Sequence, residues 1–464
     1  MGDLPGDESS VASLHISMLQ KVVGSEAENR LLHSYSKSFN GFSAKLTEEE
    51  VEELSDMDGV VSAFQSQKRK LHTTRSWDYM NFPLQVKRSK LESDVIVGVI
   101  DSGIWPESDS FSDRGFGPPP SKWKGICQSS SNFTCNKKII GARYYSKERP
   151  IPKTDIPSPR DSDGHGTHCA STAAGNIVSK ASLFGFGLGT ARGGVPSARI
   201  AVYKTLWSYG SSDTDILAAF DDAIADGVDI ISISQGGNYA EDYFSNSIAV
   251  GSFHAMKKGI LTSAAAGNGG PQRQTISNVA PWLVSVASGT TDRKFLTPVK
   301  LGNREVYTGF SINTFELNHT YPLIYGGDAP NKIKGFKKSI SRFCANNSLD
   351  KTLTKGKIIL CDFTEETSID TIHSSGVVGY VLRYQGSNET ASSFPIPAAM
   401  MQPGQSVHML DYIKSTRYPT GVIMRSIEGK EPLAPIVAGT SSRGPNPISP
   451  SVLKPDITAR EWTY

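Results

Sequence analysis

Three short apolar runs, none alternating with polar residues, restrict what this chain can fold into more than any other feature. They are Asp94 to Ile100, Arg199 to Lys204 and Val228 to Ile233. A strand with one face in water places a polar residue at every second position. A run apolar throughout belongs inside a parallel sheet covered by helices on both faces. Between the second and third runs, Asp213 to Asp226 carries Ile216, Ala219, Phe220 and Ile224 at helical spacing. Ile248 to Lys258 reads as another helix, followed by a strand from Ile260 to Ala265. This alternation predicts a doubly wound α/β domain from Asp94 to about Ala287.

The flanking regions differ in character. Leu31 to Phe39 and Phe42 to Leu46 are strand-like and separated by the turn Asn40-Gly41. Thr47-Glu48-Glu49-Glu50 forms a capping box for a helix whose apolar face is Val51, Leu54 and Met57. Val60 to Phe64 reads as a further strand, so residues 31–72 predict a small α/β unit. After about Leu296, strands such as Lys357 to Cys361 and Val377 to Leu382 alternate with Gly-, Asn- and Ser-rich loops, and Val407 to Lys414 is helix-like. This stretch predicts a separate domain of mixed strands. The last residues, Ile457 to Tyr464, show no periodicity.

Composition excludes several function classes. The 464 residues carry a net charge of +2, with no basic excess to bind nucleic acid. No stretch reaches the roughly 18 to 20 consecutive apolar residues that span a membrane. The opening Met1-Gly2-Asp3-Leu4-Pro5-Gly6-Asp7 is polar and acidic, unlike a signal peptide, so none is expected there. The five cysteines fit no common zinc spacing and instead suggest disulfides, Cys127 with Cys135 and Cys344 with Cys361, leaving Cys169 alone. Sequons begin at Asn132, Asn318, Asn346 and Asn388, about as many as chance supplies.

Three blocks carry candidate chemistry. Asp101 ends the first apolar run, at the strand terminus where open α/β sheets place their sites. A carboxylate there can hold an imidazole in one tautomer, or simply cap the turn Asp101-Ser102-Gly103. His165, within Asp161-Ser162-Asp163-Gly164-His165-Gly166-Thr167-His168, opens a helix of small residues and can take a proton from a hydroxyl nucleophile. A structural histidine, or a metal site with His168 and the aspartates, are the rival readings. Asn268, in Ala264-Ala265-Ala266-Gly267-Asn268, can donate to a developing oxyanion or serve as a turn residue.

In this order the blocks resemble the Asp, His and oxyanion-hole Asn of the subtilisin-like serine peptidases, and most closely the plant subtilases of the cucumisin-like group. His33-Ser34-Tyr35 and Asn40-Gly41-Phe42-Ser43-Ala44 resemble the inhibitory propeptide, and Thr73-Thr74-Arg75-Ser76-Trp77-Asp78 resembles the start of the mature enzyme. The resemblance implies a subtilisin-like α/β fold with a doubly wound, mostly parallel sheet. It implies an inhibitory propeptide-like domain over 1–72, a catalytic domain over 73–315 continued at 425–464, and an inserted mixed-strand protease-associated domain over 316–424. It further implies cleavage between His72 and Thr73, and substrate contacts by Ser234, Gln235, Gly236, Ala265 and Gly267. No cofactor and no metal are implied. The expected partners are peptide or protein substrates and the chain's own propeptide, with no nucleic acid and no membrane. The expected location is secreted, in the apoplast.

The chain also departs from that pattern. The family's Gly-Thr-Ser-Met block, which bears the nucleophilic Ser, is absent, and the match is left at Arg460-Glu461-Trp462-Thr463-Tyr464. The expectation is a zymogen fragment inactive as written and poorly stable. Gly439-Thr440-Ser441 is no substitute, because the following Ser442-Arg443-Gly444-Pro445-Asn446 resembles the segment ahead of the true Ser block. Gln235 stands where the family usually has Leu on the strand lining its specificity pocket, so it is expected to alter substrate choice. The competing expectation is a non-catalytic binding protein, or an inhibitor of related peptidases in trans.

Overall fold

The computed structural model describes residues 8–35, 41–60, 63, 75–128, 130, 132–237, 239–384 and 391–460. The chain divides into two compact units, residues 1–70 and 71–464. In the first, a helix over Glu8–Val23 precedes an antiparallel pair, Leu31–Tyr35 against Gly41–Ala44. The sequence reading has no element at that helix, although Val11, His15 and Leu19 are buried at four-residue spacing. The Thr47 capping box is present: its hydroxyl accepts the Glu50 N–H while the Glu50 carboxylate accepts the Thr47 N–H. It opens the helix Glu48–Ser55, which buries Leu54. Asn40 of the expected turn, most of the strand expected at Val60 to Phe64, the His72–Thr73 junction and the Asn388 sequon lie outside the described residues.

The second unit is built on a seven-stranded, all-parallel sheet. Its strands are β1 (Ile96–Asp101), β2 (Ile139–Tyr144), β3 (Arg199–Lys204), β4 (Ile230–Ile233), β5 (Leu261–Ala265), β6 (Val284–Gly289) and β7 (Ile457–Arg460), in the order β7-β6-β5-β4-β1-β3-β2. All six residues of β1 and of β3 are buried. Ile96 and Ile100 enter a core with Ile216, Ala219 and Phe220 of α2 (Asp213–Asp226) and Ile248, Ala249 and Ala255 of α3 (Ser247–Lys257). Val97 and Val99 enter the opposite core with Ala170 and Ala174 of α1 (His165–Ala174). Helices on both faces explain why these runs do not alternate. The chain changes side of β1 between β3 and β4, so loops diverge at the carboxyl end of β1, where such sheets form crevices.

Two features differ from the sequence expectation. Ile457–Arg460, which shows no periodicity in the sequence, is an edge strand with Val286 paired to Ile457, and four residues are too few to display a period. The mixed sheet is wider than residues 316–424. Its eight strands run from Arg293–Leu301 to Ile427–Lys430, because Arg293–Leu301 pairs with Val306–Phe310, Thr420–Ile423 and Ile427–Lys430. Disulfides join Cys127 to Cys135 and Cys344 to Cys361. No helix among the described residues is long and apolar enough to cross a membrane.

Candidate active site

Asp101 is the last residue of β1 and 1% exposed. His165 is the first residue of α1, where Gly164 enters the helix at φ +106°. Its Nδ1 lies 2.7 Å from Asp101 Oδ1, so the buried carboxylate accepts the Nδ1 proton and fixes the tautomer. The Ser102 N–H donates to the same oxygen at 2.7 Å, while Asp101 Oδ2 is buried without a partner. Close packing allows this approach, since a Cβ on Gly166 would stand 2.4 Å from the Gly103 carbonyl oxygen. The bond to Asp101, and next the Cys169 sulfur, hold the His165 imidazolium well above its ordinary pKa against the opposing effect of burial. Cys169 Sγ is 3.8 Å from Nδ1, a weaker contact than the one to Asp101. Nε2, on the far side of an exposed ring, takes no hydrogen bond among the described residues.

The rival metal set does not assemble. The ligand-type atoms gathered within 4.8 Å of one another belong to Asp101, His165 and Cys169, and exclude His168, Asp161 and Asp163. Nδ1 and Oδ1 are occupied with each other.

Asn268 sits in the loop after β5, on the same carboxyl edge of the sheet, with its side chain exposed. A serine clamp shapes the loop from beneath. The Ser442 N–H donates to the Gly267 carbonyl at 2.9 Å, and the Ser442 hydroxyl accepts the Gly269 N–H at 2.9 Å. Gly267 has φ +107°, and a Cβ there would meet Ser442 Oγ at 2.9 Å, so only glycine fits. Ser441 is fully buried and accepts the Ser288 N–H at 3.1 Å, a structural position.

Of the expected substrate contacts, Ser234 is half-buried and accepts from Cys169 Sγ at 3.4 Å, and Gly236 is exposed. Ala265 and Gly267 are half-buried. Gln235 is buried, and its Nε2 donates to the Ile100 carbonyl at 3.2 Å and Thr205 Oγ1 at 2.9 Å. The side chain turns under the sheet edge, where two acceptors satisfy its amide N–H groups and leave Oε1 without a partner. Asn278, which the sequence reading does not single out, bridges the ends of β4 and β5. Its Nδ2 donates to the carbonyls of Gln235 at 2.8 Å and Ala265 at 2.7 Å. Nothing in the sequence marks it, because its role exists only once those strand ends are side by side.

A carboxylate-oriented imidazole at the carboxyl edge of a parallel sheet is an arrangement suited to moving a proton. The chain belongs to the Subtilase family, whose model matches residues 92–460, and residues 1–72 match the model of peptidase inhibitor I9. By family it is similar to subtilisin-like serine proteases. Subtilisin-like protease SBT4.3 of Arabidopsis thaliana is 47% identical over 462 residues, covering 99% of this chain and 62% of that protein. Subtilisin-like protease SBT4.4 of the same plant is 47% identical over 466 residues, with the same coverage. The chain thus spans about three fifths of the length of these relatives. Sphericase aligns at a TM-score of 0.31 and 24% identity over 47% of this chain and 60% of that one, too slight a likeness to add weight.

Proposed function

We propose that the chain carries the acid–base and oxyanion-binding parts of a subtilisin-like serine endopeptidase. Asp101 orients His165 and stabilises its protonated form, His165 Nε2 takes the proton of an attacking serine, and Asn268 donates to the tetrahedral oxyanion. The observation carrying this reading is the 2.7 Å contact between a buried carboxylate and an imidazole whose other nitrogen is uncommitted. A serine hydroxyl brought to Nε2 completes the arrangement. Residues 1–464 contain no Gly-Thr-Ser-Met block, so the reading assigns them no nucleophile and expects no hydrolysis from them alone. Residues 316–424 correspond to a protease-associated insert within the larger mixed sheet, and the reading places the protein outside the cell, in the apoplast. The test is peptide hydrolysis by residues 1–464 alone and by the same chain extended with the Ser-bearing segment of its relatives. Activity only in the extended chain, abolished by His165→Ala, supports the proposal; activity untouched by His165→Ala sinks it.

One observation favours a second reading. Residues 1–70 form a compact unit, and 1–72 match an inhibitor model, which suits inhibition of related peptidases in trans. Titrating an active subtilisin-like protease with this chain decides it: a rate unchanged at excess chain removes the inhibitor role.

A further inference from the structure

We infer that Asp161 is a positioning residue that locks Asp101 and His165 into register, an inference that rests on the dyad reading above. Asp161 touches neither reacting atom. It is 3% exposed, and its carboxylate accepts five hydrogen bonds that tie together both chain segments of the dyad. Oδ1 accepts the Ser102 hydroxyl at 2.9 Å and the N–H groups of Asp163 and Gly164 at 3.0 and 2.9 Å. Oδ2 accepts the N–H and the hydroxyl of Thr167 at 2.9 and 2.5 Å. Ser102 Oγ in turn accepts the Gly166 N–H at 2.8 Å, and its backbone N–H holds Asp101 Oδ1. Thr167 Oγ1 accepts the Trp105 N–H at 3.1 Å. The residues on either side of His165 are therefore fastened to those following Asp101 through a single buried carboxylate.

Position alone is not the whole effect. His165 occupies the first turn of α1, where the helix dipole disfavours a cation. The Asp161 charge accepts N–H groups of that same turn and offsets the penalty. Burial pushes the Asp161 carboxyl up, but its hydrogen bonds to Gly164, Thr167 and Asp163 outweigh this and hold its pKa below the usual value. Lys204 of β3 faces it and donates to the Arg160 carbonyl at 2.7 Å, bracing the loop, with Asp155 also nearby. Around His165 the charged or titratable neighbours are Asp101 from β1, Cys169 from α1 and Asp163, whose Oδ1 accepts the His165 N–H.

The experiment is an NMR titration of the His165 ring nitrogens in the full 464-residue chain and its Asp101→Asn, Asp161→Asn and Ser102→Ala variants, with thermal melts alongside. An asparagine at 161 keeps the shape but lacks the charge and has one acceptor oxygen, so it cannot hold the Ser102 and Thr167 donors together. The expected result is a His165 titration in the native chain well above the free imidazole range, lowered by about one unit or more in Asp161→Asn and by a smaller step in Ser102→Ala. A purely structural residue would lower the melting temperature and leave the His165 titration where it was, and that outcome overturns the proposal. If Asp161→Asn does not fold, Ser102→Ala carries the test, and an unmoved titration there overturns it equally. A native His165 titrating like free imidazole, with Asp101→Asn changing nothing, would instead remove the dyad reading itself.

Discussion

One polar cluster of the mixed sheet and the carboxyl edge of the parallel sheet both bury polar side chains, but they treat them differently. In the mixed sheet, the Thr297 hydroxyl contacts those of Ser311 at 2.6 Å and Ser426 at 2.7 Å. Asn313 donates to the Ala398 carbonyl, accepts the Ala398 N–H and gives its own N–H to Ser426. That cluster closes on itself. At the carboxyl edge of the parallel sheet, Asp101 Oδ2 and Gln235 Oε1 stay buried without partners, and His165 Nε2 is uncommitted. A closed polar cluster specifies a packing arrangement, whereas an edge with an exposed, uncommitted imidazole nitrogen can act on something brought to it. Cross-bracing concentrates at that edge, at Asp161 and Ser102.

Mutations can break this contrast, and the largest effect belongs to the open edge. In the chain extended with the Ser-bearing segment of its relatives, Asp101→Asn should lower kcat on a peptide substrate by about 10⁴-fold, because the imidazole loses its tautomer and its counter-charge. Steady-state kinetics at fixed pH measures it, and a loss under tenfold would contradict the assignment. Asn268→Ala should cost about 10² to 10³ in kcat with KM little altered, since its amide acts only on the developing oxyanion. A change confined to KM would instead make Asn268 a binding residue.

The closed cluster should respond in stability alone. Thr297→Val removes a hydroxyl with two hydroxyl neighbours and should cost roughly 1–3 kcal/mol in denaturant unfolding without shifting the His165 titration. A displaced His165 titration would show that the sheets are coupled and weaken the contrast. Replacing Cys344 and Cys361 by Ser should cost about 3 kcal/mol by reopening a short loop of the mixed sheet, again with His165 unaffected.

The smallest effect is a pH dependence with a definite sign. The folded His165 pKa is raised, so the pair's contribution to stability is complete below the unfolded value of about 6.5 and fades as pH rises through the folded value. The free-base form needed for catalysis grows over the same range, so kcat/KM should rise with pH above neutrality while stability declines slightly. Activity falling from pH 6 to pH 8 would contradict the raised value.

How much was legible in the sequence follows the same division. The two strands buried on both faces, β1 and β3, could be read because burial on both faces erases alternation, and α2 from its spacing. Asp101 and His165 stood out because strand ends and glycine-flanked helix starts are where such chemistry sits. Three things were not legible. The helix Glu8–Val23 keeps its apolar face in a sparse four-residue rhythm with His15 within it. The strand Ile457–Arg460 is defined by pairing with Val284–Gly289, not by its own composition. Gln235, expected at a pocket wall, is drawn inward by the Ile100 carbonyl and Thr205, acceptors supplied by other strands.

The most direct test of the central claim is to extend the 464-residue chain with the Ser-bearing segment of its relatives, label it with a serine-directed peptidyl phosphonate and map the modified residue by mass spectrometry. The account predicts modification of one serine other than Ser441, with a labelling rate that collapses in His165→Ala. Labelling at Ser441, or labelling indifferent to His165, would contradict it.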